Sequence, residues 1–456
     1  MAPAGSRSYP GPMDDRLTGE TVELLQALIR NACVNDGTPG SGHEERNATL
    51  LRDELEGHGL DFQTYEPTPG RTSLVARWEG TDPEAPSLCL MGHTDVVPVS
   101  PEGWREDPFG GELIDDEVWG RGAVDMLNLT ASMTVAFRHL VRTGRRLPGD
   151  LVYFAVADEE AGGDHGAKWM AEHEWDAIAA DFVLTEFGGI PMRTPAGTSL
   201  LVTTAEKGLA WRRLTVSGSP GHGSAPYGTD NALVKAAEVV GRLARYAPVP
   251  HVDEMWMARV AAMGLPDEHS ALLLDPSGMA EGLARLSPDV ARDAHACSHT
   301  TFSPNVISGG VKTNVIPDRV TVEVDIRTVP GETRAEVDAH LRQALGDLMD
   351  GVEVEVIQDF PSTASPTDNA LWDALTSAMA ESYPEARPIP SMITGGTDAR
   401  IYRSKGSIAY GAGLLSPAVG ASEFFRRFHG HDERVDVDSL RLTTKLWLDV
   451  VDRLWS

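Results

Sequence analysis

The sequence predicts an α/β protein: a helix-covered, mixed but mainly parallel sheet, interrupted by an inserted α+β domain of ferredoxin-like order. Three observations carry this. From about residue 15 to 206, apolar runs of strand length alternate with helical periodicities, the βαβα order of a sheet covered on both faces. After about 206 the strands alternate apolar with polar residues, as in an antiparallel sheet with one wet face. From about 361 the βα style returns. The 456 residues are long for one core. The division expected is a main domain over 1–206 (1–14 a loose Pro/Gly/Ser-rich tail), an inserted domain over 207–360 with an extra segment at about 250–300, and the rest of the main domain over 361–456.

Taken in order, 15–34 reads as a helix with Leu24, Leu25, Leu28 and Ile29 on one side. A second helix lies in 41–60, where Ser41 is a plausible cap with Glu44 three residues on. "DFQTYE" and "TSLVARW" alternate like a strand pair, and "SLCLMGH" has the continuous apolar run of a central strand. A helix over 126–144 ends on Gly144. "GDLVYFAVADEE" is another buried strand, "HGAKWMAEHE" a short helix, and "DFVLTE" a strand closing on an acid. In the insertion, "GLAWRRLTVSG" is a strand, 230–246 a helix, and 247–300 irregular and Pro-punctuated. A long alternating strand, a helix in "RAEVDAHLRQALGDL" and the strand "GVEVEVI" follow. The last part offers a helix at 368–382, "PIPSMI", the Gly-rich turn "TGGTDAR", "GSIAYG" and a final helix at 437–455.

The net charge of −29 argues against nucleic acid and anionic membrane surfaces, whose phosphates are bound by Lys and Arg. Cys33, Cys89 and Cys297 are few, odd in number and far apart, which implies no disulfide framework and fits a reducing, cytoplasmic setting. Residues 1–14 lack the apolar stretch of a signal peptide, and no run is long enough to span a bilayer.

Three strand-like runs end in imidazole or carboxylate: His93 with Asp95, Glu159 with Glu160, and Glu186. A fourth acid, Asp125, precedes a helix in "GRGAVDMLN". Parallel strands deliver their C-terminal ends to one edge, where ligands bind. Side chains far apart in sequence therefore converge there. Carboxylates and neutral imidazole are the usual ligands of Zn²⁺ and its neighbours, and one metal needs about three protein ligands with a position left open. The set is large enough for two metals, ~3.5–4 Å apart with a shared ligand and a bridging water. Asp125 is a candidate bridge. Because Glu159 and Glu160 are adjacent, their side chains diverge: one can bind metal while the other faces the water as general base. "HACSH" offers His295, Cys297 and His299, which would share one face of a strand; a packed or solvated segment is the expected reading over a separate metal site.

At this point "GHTDVVP", "GRGAVDM", "ADEEAGG" and "GHGSAP", in that order and at these separations, resemble the M20 family of metallopeptidases, which includes aminoacylase-1, carboxypeptidase S, succinyl-diaminopimelate desuccinylase and carboxypeptidase G2. The resemblance runs from about 20 to 456 and implies a catalytic domain with an inserted lid and dimerisation domain. It implies His93 and Glu186 as ligands of one metal, Glu160 and a late His as ligands of the other, and Asp125 as the bridge, often followed by a cis peptide. Asp95 would steer the His93 imidazole, and Glu159 would be the general base. In "FHGHDER" the family places the ligand four residues before a Glu, here Glu433, which selects His429 over His431. His222 in "GHGS" resembles the histidine that donates to the developing oxyanion. Asn314 and Arg327 resemble lid contacts to the substrate, and Thr397 and Arg400 in "GGTDAR" sit in a turn near its carboxylate. Leu127 and Asn128 stand where many relatives carry Lys and Gly, a departure that bears on substrate preference.

The implied cofactors are two divalent ions, Zn²⁺ first, with Co²⁺ or Mn²⁺ as alternatives. The implied reaction is hydrolysis of an amide bond in a small substrate with a free carboxylate, an N-acyl amino acid or a dipeptide. A metal-bridged hydroxide attacks, Glu159 moves the proton and His222 holds the oxyanion. Dipeptidase, carboxypeptidase or desuccinylase specificity is the alternative, and a non-catalytic metal- or peptide-binding scaffold the remote one. The expected partners are that small substrate and a second copy of the chain docked through the lid.

Overall fold

In the computed structural model, residues 12–57, 59–195 and 197–456 are described. The expected tail therefore lies, up to residue 11, outside the described residues. The first helix begins earlier than expected, at Pro12, a residue suited to a helix N-terminus, and runs to Arg30. It stops short of 34 because Ala32 turns left-handed, at φ 46°.

The chain forms two units. The first comprises residues through Thr204, 365–390 and 397–456; the second comprises 205–364 and 391–396. The sheet of the first unit runs, from its edge, Asp61–Tyr65, Ser73–Trp78, Leu151–Val156, Leu88–His93, Phe182–Thr185, Ile408–Gly411 and Gly197–Glu206. Leu88–His93 lies parallel to Leu151–Val156 on one side and to Phe182–Thr185 on the other, and Ile408–Gly411 is parallel to the latter. His93 and Val156 are in register. Four consecutive strands thus finish at one edge, and the acids that the motifs single out follow three of them, those ending at His93, Val156 and Thr185.

These strands are buried on both faces, which is why they read as continuous apolar runs. Leu88 and Leu90 face a core with Leu25, Leu28, Phe137 and Trp447 from the helices Pro12–Arg30, Leu127–Arg142 and Val437–Leu454. Cys89 and Met91 face the opposite layer, with Met170 and Tyr402 from Ala167–His173 and Ala399–Ser404. One local expectation is corrected, and one element was not expected. The helix Glu45–Leu55 is not capped by Ser41, whose hydroxyl donates to the Thr38 carbonyl, and the Glu44 carboxylate is drawn away to Arg71. A three-stranded sheet of Glu112–Ile114, Glu117–Trp119 and Arg434–Asp436 has strands too short to read from periodicity.

The second unit contains an antiparallel sheet ordered Thr301–Gly309, Arg319–Thr328, Gly208–Ser217, Val352–Phe360. The helices Ala232–Arg245 and Arg334–Leu345 supply Val239, Leu243 and Leu341 to its core beside Leu214, Val322 and Val324. This is the βαββαβ order of a ferredoxin-like fold. The stretch 247–300 is not irregular. It forms four helices, Glu254–Ala262, Asp267–Leu274, Met279–Ala284 and Pro288–Ser298, around Trp256, Val260, Leu273 and Leu283. Its Pro and Asp residues act as helix starts: the Asp253 side chain caps the Trp256 N–H, and Pro288 opens its helix. "HACSH" therefore lies on a helix end, not a strand. His295 and His299 stack at 4.2 Å, while Cys297 Sγ sits 3.7 Å from the Met392 carbonyl. Among the described residues no helix is long and apolar enough to cross a membrane.

Candidate metal centre

His93 is the last residue of the central strand and is 1% exposed. Its Nδ1 lies 2.9 Å from the carbonyl oxygen of Asp95, an acceptor only, so the hydrogen is on Nδ1 and Nε2 is left to face the site. Nε2 lies 3.1 Å from Asp125 Oδ1 and 3.8 Å from Glu186 Oε2. The other Asp125 oxygen is 2.8 Å from His429 Nε2, which is 3.6 Å from Glu160 Oε2. Two trios result, His93–Asp125–Glu186 and Asp125–Glu160–His429, with the donor atoms of each within 4.8 Å of one another. They share Asp125.

The carboxylate of Asp95, expected to steer the His93 ring, stands 3.5 Å from its Nδ1 and also binds the next turn. It accepts the backbone N–H of Glu159 at 3.3 Å, that of Glu160 at 3.1 Å and the Asn35 amide at 2.8 Å. Asp95 therefore ties the end of the His93 strand to the turn that carries both glutamates, while its main-chain carbonyl and one carboxylate oxygen both face Nδ1 of the ring. Glu159 itself lies in neither trio. It opens the short 3₁₀ turn Glu159–Ala161 beside them, after Asp158 at φ 67°.

Asp125 is held by a residue that sequence reasoning used only as a spacing marker. Glu433, fully buried, accepts the N–H groups of Gly122, Val124 and Asp125 at 3.1, 2.7 and 3.1 Å, and pairs with Arg121 at 2.5 Å. Arg121 also donates to the His429 carbonyl at 3.3 Å. The Asp125–Met126 peptide is cis. His429 sits at φ 56° on the far side. His431 is outside both trios; its ring packs edge-on to Trp104 at 6.5 Å.

The electrostatics suit cations. Burial, then the nearby Asp125, pushes Glu160 up to about 7 and Glu186 up to about 8. Burial, then Glu186, raises Glu159 well above the usual carboxylate range. Burial opposes charge on His429, yet Asp125 and Glu160 lift it to about 10. His93 rises likewise against its burial, through Asp125, Asp95 and Glu186. Glu160 Oε1 is buried with no hydrogen-bond partner. Four carboxylates crowd together against two imidazoles, and oxygen and nitrogen donors in two trios with a common aspartate are a donor set for two hard-to-borderline divalent ions.

Other candidate residues are placed as follows. Arg400 donates to the Thr397 carbonyl at 2.8 Å and to the Gly162 carbonyl at 3.1 Å, so it braces the turn after Glu159 and Glu160. Between them Asp398, which the motif contains but sequence reasoning passed over, is 2% exposed, and neither carboxylate oxygen has a hydrogen-bond partner. Asn128 is buried with an unpartnered Oδ1. In the second unit, His222 is exposed, with Nδ1 2.8 Å from Ser224 Oγ. The pairing of Gly221–His222 with Val315–Ile316, and the Gly223 N–H bond to the Asn314 carbonyl at 2.8 Å, bring His222 and Asn314 together. Arg327 pairs with Asp325 at 2.8 Å.

Comparison with known proteins places this arrangement. Residues 89–453 match the profile of Peptidase family M20/M25/M40. The chain is 28% identical over 461 residues to N-fatty-acyl-amino acid synthase/hydrolase PM20D1 of Xenopus tropicalis, a match covering 95% of this chain and 85% of that protein. It is 30% identical over 386 residues to aminoacylase-1 of Homo sapiens, covering 83% and 82%. The fold matches the crystal structure of an M20 family metallo-carboxypeptidase, Sso-CP2 from Sulfolobus solfataricus, with a TM-score of 0.71 at 18% identity, over 95% of this chain and 99% of that one.

Proposed function

The chain belongs to peptidase family M20/M25/M40 and is a hydrolase of amide or peptide bonds; from that premise we propose that it cleaves the amide bond of a small substrate with a free carboxylate, an N-acyl amino acid before a dipeptide, with two divalent cations. The observation that carries this is the sharing of Asp125 by the two trios. His93, Asp125 and Glu186 would hold one ion, and Asp125, Glu160 and His429 the other. Zn²⁺ suits these donors first, and Co²⁺ or Mn²⁺ also fit. When bound, the ions supply Lewis-acid polarisation of the scissile carbonyl and a lowered pKa for the attacking water.

The chain's residues do the rest. Glu159, adjacent to a ligand but outside the trios, takes the proton of the attacking water and delivers it to the leaving nitrogen. A carboxylate whose proton affinity is raised by burial can do both. Asp95 fixes the backbone of that turn against the His93 strand. His222 is assigned the oxyanion donor from its motif, and Asn314, Arg327, Thr397 and Arg400 the substrate contacts. The second unit would serve as lid and dimer element: its edge strand Thr301–Gly309 leaves Val306 and Ile307 about half exposed, at 51% and 52%. Three buried free cysteines suit a cytoplasmic protein.

The N-acyl amino acid reading leans on the aminoacylase relatives. Its test is release of free amino acid from a panel of N-acyl amino acids and dipeptides by the metal-loaded protein. Turnover that a chelator abolishes and added Zn²⁺ or Co²⁺ restores is expected. No turnover with two metals per chain overturns the reading, and turnover of dipeptides alone moves it to a dipeptidase.

A further inference from the structure

Beside the ligand trios the first unit carries an aromatic surface that the hydrolytic chemistry does not use. Phe187 directly follows the candidate ligand Glu186. Its ring lies 5.3 Å from Phe428, 5.8 Å from Phe424 and 5.9 Å from Phe425. Phe428 directly precedes the other outer ligand, His429, and stacks on its imidazole at 4.7 Å. The rings therefore reach from one trio to the other. Phe424 is buried, Phe187 and Phe428 are half-buried, and Phe425 is 48% exposed.

Packing alone does not account for this patch. Phe424 is the buried ring through which the helix Ala421–Arg427 meets Phe187. Phe425 adds a ring that stays half in water. Phe187 is moreover held at φ 70°, a backbone region disfavoured for a bulky side chain and kept mainly where function over-determines it. An exposed aromatic patch continuous with a reaction centre is suited to apolar ligand surface. The two positions after Asp125 add to this character, since Leu127 and Asn128 put no cation there.

Resting on the amide-hydrolase reading above, we infer that Phe187, Phe425 and Phe428 form a subsite for an apolar group of the substrate, and that the enzyme prefers amides carrying a sizeable aliphatic or aromatic group on one side of the bond to those with only small or polar groups on both. Two parts of an N-acyl amino acid can supply that group, the acyl chain or the amino-acid side chain. Phe425 is the specificity-determining residue best suited to a test, because its exposed ring can be removed without opening a core.

The experiment is a comparison of kcat/KM for metal-loaded wild type, Phe425→Ala and Phe425→Trp. One arm lengthens the acyl group on alanine from acetyl through hexanoyl to dodecanoyl. The other keeps acetyl and replaces alanine with phenylalanine. In wild type kcat/KM is expected to rise at least tenfold along one arm, which identifies the source of the group. Phe425→Ala should reduce that preference about tenfold, with two metals still bound, and Phe425→Trp should keep it. A wild-type profile flat in both arms overturns the subsite while leaving the hydrolase intact. So does a Phe425→Ala variant that lowers all substrates in parallel, since the ring would then only support His429. No hydrolysis of any substrate overturns the amide-hydrolase reading and the subsite with it.

Discussion

Two polar layers lie at the same sheet edge, one buried throughout and one reaching the surface at His429, and the chain treats them differently. In the lower layer, Arg71 donates to Glu44 at 2.7 Å and to Asn35 at 2.9 Å, and stands 3.5 Å from Asp158. Asn35 in turn donates to Asp95 and to Asp158, and backbone N–H groups complete the two aspartates. Only Glu44 Oε2 is left without a partner. In the upper layer, Asp125, Glu159, Glu160 and Glu186 face each other and two imidazoles, and each raised pKa among them has another carboxylate as a cause. A buried charge costs several kcal/mol unless it is paired. The lower layer is hydrogen-bonded by the chain itself, one Arg and a set of N–H donors serving three carboxylates, although burial and then Asp95 still push Glu44 up to about 7. The upper one leaves Glu160 Oε1 buried without a partner, and the proposed divalent ions would complete it.

The largest effect expected from breaking this contrast comes in the upper layer. Glu159→Ala should leave both ions bound, because Glu159 is in neither trio, and should lower kcat by about 10³–10⁴-fold. Metal analysis and steady-state rates check both halves; a variant near the wild-type rate removes Glu159 from the proton transfer. The next effect lies below. Arg71→Met leaves Glu44 and Asp158 buried without their cation, and a loss of about 3–5 kcal/mol in unfolding free energy is expected. Urea unfolding of the metal-loaded protein measures it. A loss under 1 kcal/mol would mean that the lower layer is not the support described.

The contrast also explains what the sequence revealed. His93, Glu159, Glu160 and Glu186 were legible because parallel strands read as apolar runs and their ends must meet. Position 429 followed from the family pattern that the resemblance implies, a His four residues before Glu433, yet the task of Glu433 did not, because three N–H groups of another loop are bound by an acid some 300 residues away in sequence. Arg71, Asn35 and Glu44 carry no pattern at all: "GRTS" reads as an ordinary turn, and Glu44 passed for half of a capping box. A second task of the Asp95 carboxylate, holding the next turn, was hidden for the same reason, since its partners there are main-chain N–H groups, which every residue has. In the second unit the four helices of 254–298 were hidden by their brevity and by Pro and Gly, which here start and stop helices instead of excluding them.

Asp398 sharpens the comparison, because charges of both layers act on it and its carboxylate hydrogen-bonds with neither. It is buried, both its oxygens lack donors, and a Cβ built on Gly163 of the neighbouring turn would come within 3.2 Å of Oδ1. Burial pushes its pKa up to about 7, with Arg400 and His93 pulling down and Asp95 and Asp158 pushing further up. The ordinary value is 3.8. Between about 4 and 7 the folded protein therefore holds a proton that the unfolded chain has lost. Stability falls as pH rises through that window, and the whole penalty is present above about 7. Three pKa units bound it at about 4 kcal/mol; local relaxation lowers the expectation to about 1–2 kcal/mol. Asp398→Asn removes the ionisation and keeps the shape. It should match wild type in urea unfolding at pH 4 and exceed it by that amount at pH 8. An equal difference at the two pH values would show that Asp398 is compensated in the folded protein and belongs with the lower layer after all.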